Sequence, residues 1–154
     1  MYTDFALRLL MYLALKPDER ATIREIADAY AIPFNHLNKV AHELGRAGYI
    51  ETVRGRGGGL RLKGEASGIR VGDVVRSTED DFRLVECFDP ARNTCRITGS
   101  CRLRSVLRDA LKAYLAVLDR FTVADLADSG AALREILGIA EMPRASEPES
   151  TRVR

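Results

Sequence analysis

The stretch from Tyr49 to Lys63 restricts the fold more than any other part of this chain. Tyr49-Ile50-Glu51-Thr52-Val53 has the β-branched and aromatic content of a strand, and Leu60-Arg61-Leu62-Lys63 alternates apolar with basic residues as a half-buried strand does. Between them lies Arg54-Gly55-Arg56-Gly57-Gly58-Gly59, too rich in glycine for the interior of a helix or a strand. The segment predicts a short β-hairpin with a basic tip. It is not a nucleotide-phosphate loop, because no GxxxxGKS/T pattern is present and no strand–loop–helix context surrounds it.

What precedes the hairpin gives it a meaning. Phe5, Ala6, Leu9, Leu10, Leu13 and Ala14 recur at three and four, which predicts an amphipathic helix over 3–15, ending near Lys16-Pro17. Thr22 with Glu25 three residues on is a capping box, opening a helix that turns Ile23, Ile26, Ala27 and Tyr30 inward. Ala31-Ile32-Pro33 is a turn, and a third helix over 33–46 buries Leu37, Val40, Ala41 and Leu44 before Gly45 or Gly48 ends it. Two short helices joined by a tight turn fit a helix-turn-helix and a plain helical hairpin equally well. A basic, glycine-tipped hairpin straight after them reads as a wing and decides for the former.

A short helix is expected over 71–77, then a loop over 78–100. A long helix over 101–121 follows, on which Leu103, Leu107, Ala110, Tyr114, Val117 and Phe121 form a heptad seam that asks for a partner helix. Thr122 caps a further turn through Leu126, and another helix is expected over 130–137. The fold class is therefore mainly α with a small β-hairpin: a winged helix-turn-helix domain (1–77), a cysteine-containing loop (78–100), a dimerisation helix with C-terminal helices (101–138), and a disordered tail (139–154) rich in Pro, Ser, Glu and Arg.

A helix-turn-helix places the start of its second helix in the major groove, which here offers Asn35, His36, Asn38 and Lys39. Asparagine can bond adenine in bidentate fashion, and lysine can reach guanine or phosphate. Arg54 and Arg56 on the wing tip are placed for phosphate or the minor groove. The net charge of +2 is too small to argue for DNA, but between Thr52 and Gly64 there are only cations: Arg54, Arg56, Arg61 and Lys63. Dimerisation would present two such helices to a near-palindromic operator. No nucleophile–base pair or carboxylate dyad speaks for an enzyme. The apolar start carries Asp4 and Arg8 and lacks the basic opening of a signal peptide, so a cytoplasmic protein is expected.

The three cysteines, Cys87, Cys95 and Cys101, follow the pattern C-x7-C-x5-C. This is neither the CxxC pairing of zinc sites nor a thioredoxin motif, and an odd count argues against a disulfide framework. Thiolates suit soft metals, so the residues leave open an iron–sulfur cluster, a single metal ion or redox thiols. Three cysteines leave a cluster one ligand short. No histidine follows Cys101, and a carboxylate in that place would be a hard, labile partner.

The runs YTDFALRLLMYLA, NHLNKVAHELGRAGYI, VRGRGGGLRL, IRVGDVVR and CRITGSCRLRSVLRDAL together resemble the Rrf-type iron–sulfur winged-helix regulators over residues 2–138. TVADLAD is similar to their nitric-oxide-sensing repressor branch. The resemblance implies a homodimer holding a 4Fe–4S cluster, with 2Fe–2S as the alternative, through Cys87, Cys95 and Cys101. It implies Asp4 of the partner subunit as fourth ligand, and nitrosylation that releases the operator. Some members carry a histidine three residues after the last cysteine, where this chain has Arg104. The competing expectations are a regulator sensing iron–sulfur or redox status, and a zinc-stabilised DNA-binding protein without a sensing role.

Overall fold

The computed structural model describes residues 2–140, and most of the tail expected over 139–154 lies outside the described residues. Helix α1 (Tyr2–Ala14) is the spine of the molecule. Its Leu9, Leu10 and Leu13 are wholly buried beside Ile26, Leu37, Val40 and Leu44. Around it lie α2 (Ile23–Tyr30), α3 (Phe34–Arg46), the antiparallel strands β1 (Ile50–Val53) and β2 (Gly59–Leu62), and α4 (Val71–Thr78). Then come α5 (Arg102–Leu118), α6 (Val123–Leu126) and α7 (Gly130–Leu137). The mainly helical fold with one small hairpin matches the expectation.

The capping box of α2 carries more than a helix start. Thr22 Oγ1 accepts from the Glu25 N–H (3.1 Å), and Glu25 Oε2 accepts from the Thr22 N–H (3.3 Å). Glu25 Oε1 also accepts from the Tyr12 hydroxyl (2.9 Å) and the Lys16 ammonium (2.8 Å), so one carboxylate ties α2 to α1 and its exit. Burial works to raise the Glu25 carboxyl, but bonds from Lys16, Tyr12 and the Thr22 backbone outweigh it and hold it below the usual carboxylate range. A depressed carboxyl contributes stability above its unfolded pKa, and loses it as pH falls through the folded value. Wild-type melting temperature should therefore fall on acidification in that window. Glu25→Ala should lower the neutral-pH melting temperature by roughly 2–6 °C, as loss of about 1–1.5 kcal/mol would do. It should also flatten the acid limb, which differential scanning calorimetry across pH 3–7 would show.

The turn between α2 and α3 is set by Ala31 in the left-handed region (φ 52°), while the Ile32 N–H closes on the Ala27 carbonyl at 2.9 Å. β2 is bonded on both edges. It pairs with β1 in the register Ile50 with Leu62 and Thr52 with Leu60, and its Leu60 exchanges backbone bonds with Ala21 at 2.8 and 3.0 Å. That second contact explains Gly59, where a Cβ would lie 2.9 Å from the Ala21 carbonyl oxygen. The wing is thus anchored to the approach to α2.

α5 stands apart from this core. None of its residues is buried, and it packs on α4. Its end is pinned where Arg76 of α4 holds Asp119 with two bonds of 2.6 and 2.7 Å. The guanidinium keeps the Asp119 carboxyl below the usual range. Gly72 allows this joint, since a Cβ there would meet Asp119 Oδ1 at 1.9 Å. The helix ends at Leu118, short of the expected Phe121. The Phe121 carbonyl instead accepts from the Val71 N–H and the Val123 N–H donates to Ile69, both at 2.9 Å, so extended pairing with 69–71 outcompetes another helical turn. Val123 of α6 then returns to the central core, wholly buried. Among the described residues no helix is long and apolar enough to cross a membrane.

Candidate DNA interface and cysteine centre

On α3 the inward face takes Leu37, Val40, Ala41 and Leu44, which leaves Asn35, His36, Asn38 and Lys39 on the outside, all exposed. Two contacts fasten this outer face to the first turn of α1. The rings of Phe5 and His36 lie face to face, with centroids 6.3 Å apart and planes 22° from parallel. The Tyr2 hydroxyl donates to the Lys39 carbonyl at 3.2 Å. Tyr2, Phe5, His36, Lys39 and Val40 line an apolar pocket of about 240 Å³ between the two helices. Sequence reading missed this link, because its partners are more than thirty residues apart and neither aromatic stands out from an ordinary amphipathic helix.

At the wing tip Arg54 and Arg56 are exposed, with no ion pair among the described residues. Arg61 differs, for it pairs with Glu51 directly across the hairpin, so the basic stretch is partly neutralised. Arg20 Nη1 donates to the Gly57 carbonyl at 3.2 Å and steadies the tip. Gly58 is sterically required there, since a Cβ would lie 2.3 Å from the Val53 carbonyl oxygen.

The cysteine loop is ordered by short polar turns. Arg83 bridges Asp81 and Asp89, holding the Asp81 carboxyl below its usual range. Glu86 accepts from the Thr94 hydroxyl at 2.8 Å, and Asn93 Nδ2 donates to the Thr98 hydroxyl at 3.0 Å. Cys87 lies in the single turn Glu86–Phe88 and is buried at 6% exposure. Cys95 is half-buried, its N–H donating to Asn93 Oδ1 at 3.1 Å. Cys101, also half-buried, is the N-cap of α5 and makes no side-chain capping bond.

All three thiols are free. Among the described residues no three His, Cys, Asp or Glu side chains are grouped to hold a single metal ion. One turn past Cys101, Arg104 Nε is buried without a hydrogen-bond partner. Three soft donors strung along one loop, with an unmet cationic donor at Arg104 and Cys101 at the positive end of α5, are the donor types that suit an anionic iron–sulfur group. Asp4 is elsewhere, exposed on α1, with Arg8 Nε on its Oδ1 at 3.0 Å.

A family profile described as "Rrf2: Iron-dependent Transcriptional regulator" matches residues 1–129. The chain is 51% identical to the HTH-type transcriptional regulator NsrR of Shouchella clausii over 137 residues, covering 88% of this chain and 92% of that protein. It is 50% identical to NsrR of Bacillus subtilis over 141 residues, with 91% and 97% covered. Among solved structures it superposes on Staphylococcus aureus CymR with a TM-score of 0.65 at 26% identity, over 82% of this chain and 95% of that one. The fold is shared with T. potens IscR, at a TM-score of 0.68 and 23% identity over 84% and 85% of the two chains. The relatives are named as regulators and not as enzymes, and this chain belongs to the Rrf2 family of helix-turn-helix transcriptional regulators.

Proposed function

We propose that this DNA-binding regulator is a homodimeric repressor that releases a near-palindromic operator in response to nitric oxide. Cys87, Cys95 and Cys101 hold an iron–sulfur cluster, of the 4Fe–4S type, and Asp4 of the partner subunit completes it. The observation that carries this reading is the placing of all three free thiols along one polar loop that runs into α5. The signal is supported by the likeness of 88–91% of the chain to regulators named NsrR, the branch whose resemblance implies nitric-oxide sensing. When bound, such a cluster supplies iron that nitric oxide attacks.

The chain's own residues account for the rest. α5 turns Leu103 (60% exposed), Val106 (53%), Tyr114 (52%) and Val117 (49%) to solvent in one chain, which suits a second copy. Asp4 keeps Oδ2 clear of the Arg8 bond and would serve as a hard donor, more labile than a thiolate. Without that bond the first turn of α1, where Tyr2 and Phe5 grip Lys39 and His36, would be freed and the reading face would shift on the DNA.

The test uses protein purified without oxygen and a duplex that it selects from a random-sequence pool. Nitric oxide, titrated against the iron–sulfur absorbance, should weaken binding at least ten-fold. Zinc at one per chain with no iron would remove the cluster. Unchanged binding after complete reaction with nitric oxide would leave sensing of cluster or redox status as the function.

A further inference from the structure

Arg24, in the first turn of α2, lays its guanidinium over the ring of Phe34, the first residue of α3, 4.5 Å from the ring centroid. Arg24 is exposed, and Phe34 keeps 36% of its surface in solvent. Packing does not require the pair, because α2 and α3 already meet through Ile26, Ala27, Leu37 and Val40 in the core. Nor does local charge explain it. Asp28 stands one turn along α2, yet Arg24 forms no ion pair among the described residues.

A guanidinium stacked on a ring has one face covered, while its N–H groups, which lie in its plane, stay free at the edges. The same corner of the molecule is electropositive for a second reason. α3 begins at Pro33 without a side-chain cap and without an acid in its first turn, so the N–H groups of Phe34 and Asn35 have no partner within the helix.

We infer that Arg24, held in place by Phe34, grips a DNA backbone phosphate at the edge of the groove that α3 enters. The phosphate takes the arginine fork on one side and the first N–H groups of α3 on the other. Such a contact carries no base preference but sets the register in which Asn35, Asn38 and Lys39 meet the bases. Phe34 is here a positioning residue. The inference rests on α3 being the reading helix.

The test measures the affinity of the anaerobically purified full chain for two duplexes of unrelated sequence, against NaCl concentration. Each lost phosphate contact makes the negative slope of log K against log salt shallower by about 0.9. Arg24→Gln should make the slope shallower by that amount per protomer and weaken both duplexes by the same factor. Phe34→Leu should give part of this loss in the wild-type background and none when Arg24 is already glutamine. An unchanged slope in R24Q would overturn the contact while leaving α3 as the reading helix. An equal effect of F34L in both backgrounds would overturn the positioning role. A wild-type chain with no salt-dependent affinity for either duplex would overturn the DNA reading of α3 and this contact with it.

Discussion

Cys101→Ser, purified without oxygen, should carry almost no iron, and its hold on DNA should no longer respond to nitric oxide. The substitution is informative because of where Cys101 sits. It is the N-cap of α5, a position where the thiol makes no capping bond and where serine is among the preferred residues. Serine therefore keeps or slightly improves the helix start while replacing a soft donor with a hard one. Even changes one shell out from a metal cost roughly 10–100-fold in affinity, and a direct ligand costs more. Iron analysis and visible absorption should show the loss, and melting of the cluster-free protein should be unchanged or a little higher. Retained iron with a wild-type response would remove Cys101 from the ligand set. Cys87 is a poorer choice for the experiment, since at 6% exposure a hydroxyl there would be buried and the fold itself would suffer.

Val117→Glu should turn the proposed dimer into a monomer. Val117 is 49% exposed within one chain, so the substitution should move the fold of a protomer by no more than about 0.5 kcal/mol. In a two-fold interface it appears twice, and each copy both removes an apolar contact of about 1.5 kcal/mol and asks a carboxylate to leave water. A combined loss of about 4 kcal/mol or more is a thousand-fold in the dimer constant. Sedimentation at micromolar concentration would show the change in mass, and operator affinity should drop by roughly 100-fold or more as one half-site is lost. A V117E protein that still sediments as a dimer would move the interface away from this face of α5.

Local chemistry made much of the fold legible. Thr22 with Glu25 caps α2 as their spacing implies, and Thr122 caps α6 as expected, with Asp125 completing the box. The inward residues of α3 are the ones its periodicity selects. The end of α5 was not legible, because the heptad pattern continues through Phe121 while the backbone there is claimed by a strand-like pairing with 69–71, a partner some fifty residues away. At the candidate site, the residue types on α3 and the wing could be named from sequence. The fastening of His36 and Lys39 to Phe5 and Tyr2 could not, since nothing local marks it. The same holds for Arg61, whose charge only the hairpin register reveals as paired.

The attachment of α5 has a mechanical consequence. Its seventeen residues span about 25 Å, clamped at the Asp119 end by Arg76 and the neighbouring backbone bonds, with Cys101 at the opposite tip. A rigid rod held in that way amplifies rotation: about 5° at the clamp carries the tip roughly 2 Å, and a small pull at the tip exerts its greatest torque on α4. A tether at Cys101 would thus act with full leverage on the angle between the rod and the reading head, and in the proposed symmetric pair that angle would set the distance between the two heads.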